Sequence, residues 1–63
     1  SRHHRLPKSN GGTNDPENIS LVPSNRHNWW HALFENKSVE QIVEDINRHW
    51  IPRDYRLRVE RSQ

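Results

Sequence analysis

The chain predicts an α+β fold with the order strand, long loop, strand, helix, followed by a second helix and a short strand-like tail. Three observations carry this. The breaker-rich run PKSNGGTNDPEN separates two short extended segments, and such a run makes neither a helix nor a central strand. Apolar residues recur at helical spacing over positions 39–46. The stretch RHNWWH sets two histidines four residues apart, one turn of a helix.

Residues 1–6, SRHHRL, read as the first strand. The loop that follows contains Pro7, Gly11-Gly12 and Asn14-Asp15-Pro16, with the two glycines supplying turn conformations. Ile19-Ser20-Leu21-Val22 is apolar and β-branched, and reads as a second strand stopped by Pro23. Ser24 offers an N-cap oxygen to a helix over 25–35 that ends near Asn36. In the second helix, Ser38 with Gln41 forms a capping box and Glu40 suits the first turn. Val39, Ile42, Val43 and Ile46 form its apolar stripe, Trp50 lies a turn beyond, and Pro52 ends the pattern. His49 sits near that C-terminus, where a cation is favoured, as a structural or solvated residue. Tyr55, Leu57 and Val59 then alternate with Arg56, Arg58 and Glu60, which predicts an edge strand.

Sixty-three residues make one small domain, and a chain of that length usually needs a disulfide, a metal or a partner to hold it. There is no cysteine, and only 29% of the residues are hydrophobic. A metal or an oligomer is therefore expected, with three tryptophans as the main apolar mass. No apolar run is long enough for a membrane span or a signal peptide, so the expected location is cytoplasmic, with no membrane partner. The formal charge is +2. Up to Phe34 the bases Arg2, Arg5, Lys8 and Arg26 face only Asp15 and Glu17, while the remainder balances, so the modest positive field lies over the first half and suits a polyanion.

His27 and His31 project from one helical face. Taken alone, such a pair reads either as an exposed, hydrogen-bonded couple or as half of a metal site. Two further features bear on the choice. His3-His4 lies on the first strand and Asn18 at the mouth of the second, giving the order His-His, Asn, His, His. Together with Pro-x-Ser, the Gly-Gly turn and the Asn-Asp-Pro-x-Asn run in HHRLPKSNGGTNDPENISLV, this order resembles the HNH endonuclease family, whose fold is the ββα-metal motif. The resemblance covers residues 2–34, about half of the chain. Many members carry cysteine pairs for a second, structural zinc. Here Pro23 and Arg26 stand where such cysteines often fall, and the chain is closer to the cysteine-free bacterial toxin nucleases of that family.

The resemblance implies a nuclease module over residues 1–36, with a C-terminal helix and tail over 37–63 that pack on it or mediate contacts. It implies His3, His27 and His31 as ligands of one divalent ion. Nitrogen-rich ligation favours Zn²⁺ or Ni²⁺ as the bound ion, with Mn²⁺ or Mg²⁺ able to support activity. It implies His4 as the general base, a task suited to histidine, whose ordinary pKa is about 6.5. Asn18 would orient the loop through its side-chain amide, or be an ordinary turn asparagine. The implied substrate is DNA, cut with little sequence specificity to leave 5′-phosphate and 3′-hydroxyl ends. Arg2, Arg5, Lys8 and Arg26 would contact phosphates, with Arg53, Arg56 and Arg58 as a second strip. Trp30 and Phe34 are expected in the core, and Trp29 against the C-terminal segment or stacked on a base. A homodimer or a larger DNA-processing assembly would enlarge so small a binding surface. The alternative function is a non-catalytic, zinc-stapled module that binds nucleic acid or protein.

Overall fold

Two antiparallel strands, β1 (Arg2–His4) and β2 (Ile19–Leu21), form a two-stranded sheet, and two helices, α1 (Ser24–Phe34) and α2 (Val39–His49), follow them. The structure is a computed structural model, and it describes residues 1–62. Gln63, the last residue of the expected C-terminal segment, lies outside the described residues. The molecule is thus a small α+β fold whose first half has a ββα arrangement.

The register pairs Arg2 with Leu21, His3 with Ser20 and His4 with Ile19. Side chains alternate across a strand, so His3 and His4 leave β1 on opposite faces. Backbone bonds extend the pairing past both ends of the ladder, from Val22 N–H to Ser1 O at 2.9 Å and from Arg5 N–H to Asn18 O at 2.7 Å. The ladder proper nevertheless covers only Arg2–His4, so the first strand is shorter than the expected 1–6.

The loop contains regular structure. Lys8–Asn10 and Pro16–Asn18 are single 3-10 turns, the second beginning on Pro16, where the absent N–H has no partner to lose. Gly11 closes the first turn at φ 93°, a conformation open to glycine. Gly12 is required by crowding: a Cβ there would lie 1.8 Å from the Leu6 carbonyl oxygen. Asn10 Nδ2 donates to the Asn36 carbonyl at 2.7 Å and so ties the loop to the end of α1.

Helix α1 starts one residue earlier than predicted. Pro23, extended at ψ 139°, is its N-cap and accepts from His27 N–H, while Ser24 is already helical and supplies no capping bond. The capping box of α2 is formed: Gln41 N–H donates to Ser38 Oγ at 3.2 Å and Ser38 N–H to Gln41 Oε1 at 2.9 Å. Among the described residues the expected tail strand is absent. The described residues beyond Pro52 have no neighbouring strand to pair with, and the Leu57 backbone is taken up at both its N–H and its C=O by the Asn47 side chain of α2, at 2.8 and 2.9 Å.

Burial is sparse. Among the described residues Phe34 alone is a buried apolar side chain, at 6% exposure. Trp30 is 37% exposed and leans on Phe34 with ring centroids 4.7 Å apart, so it flanks the core and is not part of it. Trp29 is 72% exposed, which corrects the expectation that it packs on the C-terminal segment. Leu33 also reaches solvent, at 41% exposure, so α1 is open on more than its histidine face.

Candidate metal centre

Helix α1 delivers His27 and His31 one turn apart, and β1 brings His3 against them. Each of the three offers a ring nitrogen, and these atoms all lie within 4.8 Å of one another. His27 Nε2 and His31 Nε2 are 2.9 Å apart. Two nitrogens on a tetrahedral zinc at about 2.05 Å would lie roughly 3.3 Å apart, so this pair, now at the distance of a hydrogen bond between the rings, would need to open by only a few tenths of an ångström to chelate.

The surroundings of the rings favour neutral imidazoles, the form that binds metal. The pKa of His3 is lowered first by burial and then by the positive charge that His27 and His31 carry when protonated. That of His27 is lowered by desolvation and by His31. Ser1 Oγ lies 2.8 Å from His27 Nδ1, and in the tautomer where Nδ1–H donates to this hydroxyl, Nε2 keeps its lone pair toward His31. Trp30 meets His3 edge-on with centroids 5.7 Å apart, so Phe34 backs Trp30 and Trp30 backs His3.

His3 Nδ1 is buried and has no hydrogen-bond partner among the described residues. A buried ring nitrogen left unmatched costs about 1–3 kcal/mol, and a cation shared with the neighbouring imidazoles would remove that penalty. The donor set therefore fits a divalent ion. The nitrogen character of the three imidazoles would suit Zn²⁺ or Ni²⁺.

His4 is not one of the clustered three, and its Nε2 lies 2.8 Å from Asn14 Oδ1. Both faces of β1 nevertheless open onto one cleft of about 310 Å³, lined by His3, His4, Lys8, His27, His31 and Glu35 among others. Asn18 is the clasp of the loop. Its Oδ1 accepts from Leu6 N–H at 2.8 Å, and its Nδ2 donates to Leu6 O at 3.0 Å and Thr13 O at 2.8 Å. Arg2, Arg5, Lys8 and Arg26 are all exposed; of these only Lys8 lines the cleft, while Arg26 borders a separate apolar hollow with Trp29 and Trp30. A larger hollow of about 810 Å³ lies between α2 and the tail, edged by Glu44, Arg53, Tyr55 and Arg56. It contains none of the clustered histidines, so size does not mark the chemistry here.

Sequence reasoning missed Asn14, Ser1 and Glu35. Asn14 and Ser1 meet their histidines only through the fold, across 10 and 26 residues of chain, and no local pattern could have singled them out. None of the comparisons with family models, with curated proteins and with solved structures finds a match for this chain.

Proposed function

We propose that the chain is a metal-dependent HNH-type endonuclease that hydrolyses phosphodiester bonds in DNA with little sequence specificity, built on a ββα-metal module. The observation that supports it is the convergence of three histidine ring nitrogens within 4.8 Å, with His4 held on the same cleft. His3, His27 and His31 would hold one divalent ion. When bound, that ion supplies Lewis acidity to the scissile phosphate and to the departing 3′ oxygen.

The remaining work falls to the chain's own groups. His4 takes the proton from the attacking water, and Asn14 holds its ring. Asn18 keeps the strand that carries both histidines in register with the loop. Lys8, at the edge of the cleft, and Arg2, Arg5 and Arg26 around it hold backbone phosphates; contacts of this kind position a duplex without reading its sequence. No helix among the described residues is long and apolar enough to cross a membrane.

A second reading has one observation in its favour. With Phe34 the only buried apolar side chain among the described residues, an ion could act as a staple for a binding module without catalysis. A supercoiled-plasmid nicking assay with Mn²⁺, Mg²⁺, Ni²⁺ or Zn²⁺ separates the two. The nuclease is expected to nick plasmid with at least one of these ions, and His4→Ala to abolish nicking while retaining the bound metal. No nicking with any ion, or nicking unchanged in His4→Ala, overturns the nuclease; an inert protein that still binds metal and DNA is the stapled module.

A further inference from the structure

The nuclease reading gives His4 a task but does not say which of its two nitrogens performs it. The hydrogen bond to Asn14 does. The amide atom facing His4 Nε2 at 2.8 Å is Oδ1, an acceptor with no hydrogen to give. The ring must therefore donate, its hydrogen sits on Nε2, and in the neutral ring the lone pair able to accept a proton is on Nδ1.

Asn14 is itself held on both sides. Its preceding neighbour, Thr13, gives its carbonyl to Asn18 Nδ2 at 2.8 Å, and its following neighbour, Asp15, accepts from Asn18 N–H at 2.8 Å. Thr13 Oγ1 also donates to Asp15 Oδ2 at 3.0 Å, bridging over Asn14. The Asn18 side chain grips Leu6, two residues beyond His4, through both its N–H and its C=O. One asparagine thus fixes the backbone on either side of the His4–Asn14 contact, and the loop presents Asn14 to the ring from a fixed base.

We infer that Asn14 is a positioning residue that locks His4 in the Nε2–H tautomer and so assigns the proton-accepting role to Nδ1. The inference rests on the nuclease reading for its functional meaning, while the tautomer itself can be measured without any activity. Asn14 is exposed, so its replacement is expected to leave the fold in place.

The test uses the full chain labelled with ¹⁵N in its histidines, metal-free and above the titration range of imidazole. Long-range proton–nitrogen correlation is expected to show His4 as Nε2–H in the wild type and in Asn14→Asp, which keeps an acceptor, and as a tautomer mixture in Asn14→Ala. In plasmid cleavage, Asn14→Ala is expected to lower kcat about tenfold or more, the usual cost of losing a group that orients a site, with KM and metal affinity unchanged and Asn14→Asp largely restored. His4 as Nδ1–H in the wild type, or as unchanged Nε2–H in Asn14→Ala, overturns the inference. So does a loss confined to KM. A wild type that cuts nothing overturns the nuclease reading instead, and the nitrogen spectra still decide whether Asn14 governs the His4 ring.

Discussion

Glu35 is the one described residue other than glycine with positive φ, at 49°, and ψ is −123°. For a residue with a Cβ this conformation costs about 1–3 kcal/mol, whereas glycine enters it freely. It arises because α1 must stop at Phe34 and turn at once into the Asn36 segment that receives Asn10. The residue also lines the histidine cleft, so its strain is stored beside the proposed chemistry. Glu35→Gly is expected to raise the urea midpoint, by a stability gain of about 1 kcal/mol, with metal affinity unchanged; a lowered midpoint would show that the carboxylate, and not the backbone, matters there. At this scale the sequence was legible wherever one element sets the geometry. His27 and His31 could be paired by counting along a helix, and His3 and His4 separated by counting along a strand. Asn14 and Glu35 could not be read, because their roles come from loop closure and from the angle at which a helix ends.

Among the elements, α2 shows how far local signals reach. Its capping box, its acidic first turn and its basic last turn are all written within a dozen residues, and all are formed. The Arg48–Glu44 pair at 2.9 Å adds little, since both groups are two-thirds exposed to water. No α2 residue is buried, so the helix draws much of its stability from these local terms. Ser38→Ala, which removes one of the two box bonds, is therefore expected to cost about 1 kcal/mol and to lower helical circular dichroism. Metal affinity, set by β1 and α1, should stay the same; a parallel loss of metal would mean that α2 buttresses the histidine site. The tail was misread for the opposite reason. Alternation of Tyr55, Leu57 and Val59 with charged residues specifies which way side chains point in an extended chain, but a strand also needs a neighbour. Here, among the described residues, Asn47 supplies the only partner the Leu57 backbone has.

At the scale of the whole molecule, the Cα radius of gyration is 12.9 Å, against roughly 10–11 Å for a compact chain of this length. The molecule is open, Leu21 at the sheet's edge is 81% exposed, and the apolar core is a single phenylalanine among the described residues. Composition foretold the shortage but not which residues would be left outside, because burial depends on how elements meet. A fold with so little apolar burial should lean heavily on any ligand that binds only its native state. An ion present at a thousandfold excess over its Kd would add about 4 kcal/mol, and each kcal/mol moves Tm by about 4–8 °C for a domain of this size. Saturating Zn²⁺ is accordingly expected to raise Tm by roughly 15–30 °C, and His31→Ala to erase most of the gain. Acid should weaken the chelator-treated protein as well. His3 and His27 bind protons less readily in the folded chain than at their ordinary pKa of 6.5, so below that pH the unfolded chain holds more protons and is favoured. Stability is then full above about pH 6.5 and falls as pH drops through the lowered values. Thermal melts of chelated and zinc-loaded protein at pH 7.5 and 5.5 measure both effects together. A melt indifferent to zinc at pH 7.5 would mean that the three imidazoles do not share an ion, and that the fold is held by something other than the site its sequence advertises.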